Sequence, residues 1–308
     1  MTGGSASTGG LGDYDALVEA RVRRTRTLLC LGLDPDPAAL PPGFAAGIGG
    51  LEAFGRLLLE AALPHAAAVK ANLAFFEAFG SAGLAALERL RASLPAEVPF
   101  IADAKRGDIG STSARHAAAL FDGLGAHAVT VAPYVGAAAL EPLLERAGRC
   151  VYVLCRTSNP GAGELQDLTV AAGADGSPAE PLYQRVARLA LGWQAQFGTV
   201  GLVVGATQPA QLAAIRRLAP GLPFLVPGVG AQGGDAAAVR SRAAASAGPL
   251  AGSAGRGVLV NVSRGIASAA GGAADPGAAL AVAARDWAAR LRCYDTDPPQ
   301  RTPPEEQS

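Results

Sequence analysis

Lysine is rare in this chain, and its two lysines are candidates for proton chemistry. The sequence has 26 basic side chains, of which Lys70 and Lys105 are the only lysines and the rest are arginines. An arginine keeps its proton near neutral pH, whereas a lysine ammonium can transfer its proton when neighbouring groups tune its pKa. The alternative is that both are ordinary surface lysines, so their positions in the fold decide between the two interpretations.

The densest group of charged side chains is Asp103-Ala-Lys105-Arg-Gly-Asp108. In an extended segment, residues two apart point to the same face, so we expect Asp103 and Lys105 to lie side by side. With Lys70 on a neighbouring strand, they form a predicted array of alternating charge. Opposite neighbours favour the charged form of each group, which keeps the lysines protonated and Asp103 ionised. The alternative is a buried ion-pair network that only stabilises the fold.

The elements that must position these residues are predicted to form a barrel. Short apolar and β-branched segments alternate with longer Ala- and Leu-rich segments, a pattern typical of repeated βα units. The predicted strands cover residues 27–34, 67–72, 99–105, 127–133, 150–156, 200–205, 223–228 and 257–263. Eight strands close a parallel barrel, so the sequence predicts the α/β class and a single-domain (β/α)8 TIM barrel.

Helical periodicity predicts the connections between several of these strands. Helices are expected over residues 51–63 and 209–218, and a further helix over residues 14–24 could cover the amino-terminal end of the barrel. The Gly-, Ala- and Asp-rich residues 161–181 are predicted to be a long loop. Residues 236–255 are expected to begin as a helix and to end irregularly.

The predicted domain boundaries follow the composition. Residues 13–293 carry the βα pattern and form the predicted catalytic domain. Residues 1–12 are predicted to be a flexible amino terminus, and residues 294–308, with four prolines and no apolar pattern, a disordered tail. The sequence shows no signal-peptide pattern and no apolar run of membrane-spanning length, so we expect a cytoplasmic protein.

Charge and cysteine usage exclude several classes of function. The 26 basic and 26 acidic side chains give a net charge of zero, without the basic stripe that nucleic-acid or anionic-membrane binding needs. The four cysteines show no C-x-x-C spacing, and no histidine lies at metal-ligand spacing from them. We therefore expect reduced thiols, no metal, and neither nucleic acid nor membrane as a partner.

The predicted strands place both lysines at one end of the barrel. Lys70 lies near the end of the second strand and Lys105 at the end of the third. In TIM barrels the carboxyl ends of the strands carry the chemistry, whatever the reaction. Both lysines therefore face the same mouth, which favours proton chemistry over a surface role.

Glycine-rich segments after the last two strands are candidates for phosphate binding. The seventh strand leads into Pro227-Gly-Val-Gly-Ala-Gln232-Gly-Gly, and the eighth into Ser263-Arg264-Gly265-Ile. In TIM barrels phosphate commonly binds on these two loops, and backbone amides with one arginine suit a dianion. Ordinary turn geometry is the alternative for any single glycine, because the chain has 40.

Six segments, taken in order, resemble the orotidine 5′-monophosphate decarboxylase family. They are C-L-G-L-D-P-D-P from Cys30, V-K-A-N-L-A-F-F-E around Lys70, D-A-K-R-G-D-I-G-S-T from Asp103, S-N-P-G from Ser158, P-G-V-G-A-Q-G-G-D from Pro227 and N-V-S-R-G from Asn261. D-x-K-x-x-D alone is shared with related sugar-phosphate lyases, but the ordered set is far more specific. The long segment after the fifth strand is similar to the longer bacterial branch, type 2.

The resemblance implies decarboxylation of orotidine 5′-monophosphate to uridine 5′-monophosphate and CO2, the last step of pyrimidine nucleotide synthesis, without metal or cofactor. It implies that Lys105 donates the proton that replaces CO2, that Asp103 lies against the departing carboxylate, and that Lys70 bridges Asp103 to the ribose. It also implies a homodimer with shared active sites, in which Asp108 of one subunit completes the charge array of the other.

The resemblance also implies a set of substrate contacts for this nucleotide. Asp34 and Thr112 are expected to bind ribose hydroxyls, and Ser158 is expected to hydrogen-bond the pyrimidine. The remaining predicted contacts are Pro227, and for the phosphate Gln232, Arg264 and the backbone of Gly265.

Three other functions are alternatives to this one. A magnesium-dependent sugar-phosphate decarboxylase or aldolase typically has a metal-binding carboxylate on the second strand, where this chain has Lys70. A Schiff-base aldolase needs a lysine of lowered pKa, and the nearby Asp103 favours the charged ammonium of Lys105 instead. A non-catalytic nucleotide-binding barrel would not need the intact D-x-K-x-x-D motif.

Overall fold

Eight parallel strands close into a barrel in the computed structural model, which describes residues 13–174, 176 and 178–294. The strands in these residues are β1 (Leu29–Gly32), β2 (Ala68–Asn72), β3 (Phe100–Arg106), β4 (Ala128–Val131), β5 (Cys150–Arg156), β6 (Thr169–Val170), β7 (Glu180–Pro181), β8 (Val200–Val204), β9 (Phe224–Val226) and β10 (Val258–Val262). The barrel order is β1-β2-β3-β4-β5-β8-β9-β10, and β10 pairs with β1. The prediction of a (β/α)8 barrel is confirmed, and all eight predicted strands are present with ends that differ by a few residues.

Helices connect the strands and surround the barrel. In the described part of the chain they are α1 (Asp13–Thr25), α2 (Ile48–Ala62), α3 (Ala74–Glu77), α4 (Gly80–Ala92), α5 (Gly110–Ala117), α6 (Ala137–Leu144), α7 (Gly163–Gln166), α8 (Leu182–Phe197), α9 (Pro209–Leu218), α10 (Ala236–Ala243), α11 (Arg264–Ala267) and α12 (Pro276–Arg290). No described helix is both long and apolar enough to cross a membrane.

Helix α1 lies across the amino-terminal end of the barrel, as the sequence predicts. The carboxylate of Glu19 accepts hydrogen bonds from the backbone nitrogens of Ala254 and Gly255, just before β10, at 2.7 and 3.1 Å. The hydroxyl of Tyr14 lies 3.2 Å from that of Tyr152 on β5. These hydrogen bonds fix α1 to the barrel, because a buried polar group without a hydrogen-bond partner would destabilise the fold.

The barrel interior is filled by side chains whose sizes complement one another. Val and Leu dominate the strands, and every residue of β1, β8 and β10 is buried. Gly201 on β8 faces the ring of Tyr152 on β5, and a Cβ at residue 201 would lie only 2.6 Å from that ring. The absence of a side chain at Gly201 therefore makes room for the tyrosine, and the packed interior supports the mouth above it.

The segment after β5 is more ordered than predicted, so the prediction of one long loop over residues 161–181 is wrong. It contains α7 and a two-stranded antiparallel ladder of β6 and β7. Asp167 anchors it through two hydrogen bonds from the guanidinium of Arg156, at 2.8 and 3.0 Å. Elements of two to four residues are too short for sequence periodicity to reveal.

Further predictions concern residues 236–255 and both ends of the chain. Residues 236–255 begin with α10 and continue without a regular helix to a short 3-10 turn at Pro249–Gly252, as expected. The predicted flexible residues 1–12 and all of the predicted tail except Tyr294 lie outside the described residues. The hydroxyl of Tyr294 donates a hydrogen bond to the backbone oxygen of Arg240 at 2.6 Å.

Candidate active site

A cavity of about 1010 Å³ opens at the carboxyl ends of the barrel strands. All six segments singled out in the sequence contribute residues to its wall. Nine of the predicted site residues line it: Asp34, Lys70, Asp103, Lys105, Ser158, Pro227, Gln232, Arg264 and Gly265. The structure therefore brings together charged groups from β2 and β3 with the glycine-rich loops after β9 and β10.

The carboxylate of Asp103 lies between the two lysines of the chain. The Nζ atom of Lys105 is 2.6 Å from Oδ1 of Asp103, and the Nζ atom of Lys70 is 3.1 Å from Oδ2. Lys70 is also 3.6 Å from Oδ1 of Asp34, which accepts a hydrogen bond from the backbone nitrogen of Asn72 at 2.8 Å. The charges thus alternate in space from Asp34 through Lys70 and Asp103 to Lys105.

This arrangement fixes the charge of its two most buried members. Burial alone opposes the ionisation of Asp103, but the nearby ammonium groups of Lys70 and Lys105 outweigh it and lower the pKa of Asp103 to about 2. Burial likewise disfavours the charged form of Lys70, but the carboxylates of Asp34 and Asp103 hold its pKa above the ordinary value. At neutral pH an ionised carboxylate therefore sits beside a protonated Lys70 in a largely enclosed site.

The backbone at Lys105 is not extended, in contrast to the expectation of simple alternation along β3. Its φ angle is +48°, in the left-handed region that residues other than glycine rarely adopt. The pairing of β3 with β4 shifts between Ala102 and Arg106, which marks a bulge. The bulge still brings the Lys105 side chain to Asp103, while leaving that side chain 45% exposed to the cavity.

The loops after β9 and β10 form the opposite end of the cavity. Arg264 begins α11 directly after β10, and it is the only arginine among the described residues that line the cavity. Gly228 has a φ angle of +96°, and a Cβ at residue 228 would lie 2.8 Å from Oε1 of Gln232. The glycine thus leaves room for the side chain of Gln232, which lines the same cavity as Arg264, and both side chains are donors that suit an anion.

Comparison with known proteins identifies the family of this chain. A family model described as Orotidine 5′-phosphate decarboxylase / HUMPS family matches residues 27–280. The chain belongs to this family.

Similar proteins cover nearly the whole barrel. Orotidine 5′-phosphate decarboxylase of Thermomicrobium roseum is 46% identical over 276 residues, which are 89% of this chain and 92% of that protein. The protein of the same name from Roseiflexus castenholzii is 47% identical over 269 residues, 87% of this chain and 92% of that protein. The structure of Leishmania donovani OMP decarboxylase is 38% identical, with a TM-score of 0.73, and the match covers 91% of this chain and 97% of that chain.

Two residues predicted from the resemblance to the decarboxylase family do not line the cavity of the single chain. Asp108 is exposed, and its carboxylate accepts a hydrogen bond from the backbone nitrogen of Ile109 at 2.7 Å. Thr112 lies on α5 and is partly buried. The same region carries the exposed apolar side chains of Ile109 (67%) and Val135 (40%), and Cγ2 of Val135 would lie 3.6 Å from a Cβ at residue 107.

Several polar residues of the same cavity are not among the predicted site residues, and three of these lie on barrel strands. They are Asn72, Thr130 and Asn261. Thr130 is a polar residue within the buried strand β4, and such an interruption of an apolar strand was the available signal. Oδ1 of Asn261 is buried and has no hydrogen-bond partner among the described residues.

The described residues of this family member contain no group of three or more His, Cys, Asp and Glu side chains that could hold a metal ion. Two carboxylates that line the cavity, Asp34 and Asp103, both lie within 3.6 Å of the Lys70 ammonium. Lys105 also pairs with Asp103, so ammonium groups of the protein already balance this negative charge.

Proposed function

We propose that this protein decarboxylates orotidine 5′-monophosphate to uridine 5′-monophosphate and CO2 in pyrimidine nucleotide synthesis. The observation that carries the proposal is the position of the Asp103 carboxylate, 2.6 Å from Lys105 and 3.1 Å from Lys70. Together with membership of the family, this array supplies both charges that a direct decarboxylation needs. A cation is required where negative charge develops, and an anion where the carboxylate leaves.

The reaction proceeds by breaking one carbon–carbon bond and forming one carbon–hydrogen bond. When CO2 departs, the electron pair of the broken bond stays on the ring carbon, where the Lys105 ammonium stabilises it. Lys105 then transfers a proton from Nζ to that carbon and regains a proton from solvent. The 45% exposure of its side chain to the cavity gives the ammonium access to both substrate and water.

Asp103 acts on the substrate carboxylate rather than on the proton. Because the pKa of Asp103 is lowered to about 2, it stays ionised when a second carboxylate approaches. Two like charges at close range destabilise the bound substrate, and this repulsion ends as CO2 becomes neutral. Lys70 keeps Asp103 in place and carries the alternating charges on to Asp34 at the ribose side.

The far end of the cavity binds the rest of the nucleotide in this proposal. Arg264, Gln232 and the backbone of Gly265 hold the phosphate, while Asp34 binds a ribose hydroxyl. Ser158 hydrogen-bonds the pyrimidine, and Pro227 packs against the substrate. Binding energy from the phosphate, remote from the reacting carbon, stabilises the closed arrangement of the loops around the substrate.

The functional unit in this proposal is a cytoplasmic homodimer that needs no metal or cofactor. Asp108 and Thr112 lie outside the cavity of their own chain, in a region that carries the exposed apolar side chains of Ile109 and, beside Gly107, Val135. A two-fold interface through this apolar region brings Asp108 and Thr112 into the partner's site. The free thiols of all four cysteines support a reducing compartment.

A magnesium-dependent sugar-phosphate lyase is the alternative, and the position of Lys70 disfavours it. The Lys70 ammonium lies within 3.6 Å of both Asp34 and Asp103, where it repels a divalent cation. The two functions predict opposite responses to a chelator, because only the lyase needs the metal.

The deciding experiment is an ultraviolet assay of orotidine 5′-monophosphate with the purified protein, before and after exhaustive EDTA treatment. We expect loss of the orotidylate absorbance at the same rate in both samples. No turnover by the untreated protein overturns the proposal. Activity that is lost with EDTA and restored by Mg2+ supports the metal-dependent alternative.

A further inference from the structure

The hydroxyl of Thr130 connects the two residues at the centre of the charge array. Its Oγ1 accepts a hydrogen bond from the backbone nitrogen of Lys105 at 2.9 Å and donates one to Oδ1 of Asp103 at 2.8 Å. Thr130 is 1% exposed, and its neighbours on β4 are Ala128, Val129 and Val131. A hydroxyl in a strand that is otherwise apolar is costly to bury unless its hydrogen bonds are made.

The direction of both hydrogen bonds is fixed by chemistry. A backbone N–H can only donate, so the Lys105 nitrogen occupies a lone pair of the hydroxyl oxygen and leaves its proton free to point elsewhere. That proton points to Asp103, where Oδ1 also receives the Lys105 ammonium at 2.6 Å. The threonine thus donates to the ionised form of Asp103 while its oxygen holds the backbone nitrogen of Lys105.

The same hydroxyl replaces a missing strand contact at Lys105. The pairing of β3 with β4 is regular at Ala102 and resumes at Arg106, so the bulge removes Lys105 from the ladder. Lys105 also has a φ angle of +48°, a conformation that persists only where surrounding contacts enforce it. Thr130 supplies one such contact, because its oxygen accepts the hydrogen bond that the Lys105 nitrogen would otherwise make to a neighbouring strand.

We propose that Thr130 is a positioning residue that holds the Lys105 backbone and the Asp103 carboxylate in the geometry required for proton transfer. This inference rests on the proposed decarboxylation, in which Lys105 and Asp103 are the reacting pair. The side-chain hydrogen bonds of Thr130 to the described residues go to Lys105 and Asp103, and none goes to a residue of the phosphate loops. Its loss therefore affects the chemical step rather than the binding of nucleotide.

A purely structural role for Thr130 makes a different prediction. Valine has the shape of threonine and a high preference for strands, so it fills the same space on β4 without the hydroxyl. If Thr130 only packs, Thr130→Val leaves kcat unchanged. If it positions the reacting pair, Thr130→Val loses activity, and Thr130→Ser, which keeps the hydroxyl, retains it.

The test compares wild type with these two variants by steady-state kinetics, by the Kd for uridine 5′-monophosphate and by thermal melting. For Thr130→Val we expect kcat to fall by about 10- to 100-fold, the cost of a small misplacement of reacting groups. We expect its Kd for uridine 5′-monophosphate to stay within about twofold, because the residues that bind the nucleotide are unchanged. We expect Thr130→Ser to keep kcat within about threefold, because serine retains the hydroxyl.

Thr27→Val is a matched control, because Thr27 is also buried and its hydroxyl also both accepts and donates: it accepts from the backbone nitrogen of Leu29 and donates to the backbone oxygens of Ala288 and Leu291. Thr27 lies just before β1, at the end of the barrel opposite the cavity, so this variant is expected to lower the melting temperature without changing kcat. An active wild type with Thr130→Val within twofold of it in kcat overturns the inference. An inactive wild type overturns the proposed function instead.

Discussion

The Nζ atom of Lys105 lies 2.6 Å from Oδ1 of Asp103, and one residue separates the two on β3. Side chains two apart on a regular strand run roughly parallel, and the bulge at Lys105 turns its side chain towards the carboxylate instead. The consequence is a short ion pair at the mouth of the barrel, with the ammonium exposed to the cavity and the carboxylate largely enclosed.

Replacing Lys105 by alanine is expected to abolish decarboxylation while leaving the fold intact. The side chain is 45% exposed and supports no packing in the barrel core, so circular dichroism and the melting temperature should change little. Loss of the proton donor should lower kcat by at least about 100-fold. Lys105→Arg is the matched variant, because guanidinium keeps the charge but does not release a proton. High activity in Lys105→Arg would show that charge alone suffices.

The ionisation of Asp103 should make its contribution to stability depend on pH. Its pKa is about 2 in the folded protein, below the usual 3.8. A lowered pKa means that the ionised group stabilises the fold above about pH 4, and that this contribution is lost as the pH falls towards 2. The shift corresponds to about 2 kcal/mol in the free energy of unfolding.

Urea unfolding of wild type and Asp103→Asn at several pH values measures this contribution. We expect the wild type to be the more stable protein at pH 7, and the difference in free energy of unfolding to shrink below about pH 4. A difference that stays constant from pH 7 to pH 3 would show that Asp103 is not held ionised by its two lysine neighbours.

The barrel and the shared mouth of the two lysines are predictable from the sequence, because both follow from patterns within single segments. Alternating apolar segments define the strands, and strand ends define the mouth. The bulge at Lys105 and the hydrogen bonds of Thr130 depend on pairing between β3 and β4, which no single segment encodes. The position of Asp108 relative to a partner's site depends on a second chain, so it stays a prediction.

Arg264 is predicted to recognise the phosphate of the nucleotide. For Arg264→Ala we expect the Kd for uridine 5′-monophosphate to rise by about 10- to 100-fold, the usual cost of removing a hydrogen bond to a charged group. The weak affinity for uridine, which lacks the phosphate, should not change. Isothermal titration calorimetry measures both ligands.

Arg285→Ala is the control for this substitution, because Arg285 is an exposed arginine on α12 outside the cavity. It should bind both ligands as wild type does. An equal loss of uridine and uridine 5′-monophosphate binding in Arg264→Ala would mean that the site is damaged generally and would contradict a specific phosphate contact.

The shared active site predicts complementation between inactive variants. If Asp108 acts in the partner's site, Lys105→Ala and Asp108→Ala are each nearly inactive as homodimers. After subunit exchange, a heterodimer has one site with both lesions and one with neither. Mixing should therefore restore up to about half of the normal activity per heterodimer, on the geometry of a two-fold interface.

A mixture of Lys105→Ala with Lys70→Ala is the matched control for this complementation, because both lysines lie in the cavity of their own chain. Each site of that heterodimer keeps one lesion, so its activity should stay low. Native mass spectrometry confirms that subunits have exchanged in both mixtures. If Asp108 acts within its own chain, the first mixture behaves like the control, since every site then carries one lesion. Absence of recovery with exchange confirmed would rule out the shared site, and the exposed position of Asp108 beside Ile109 would need another explanation.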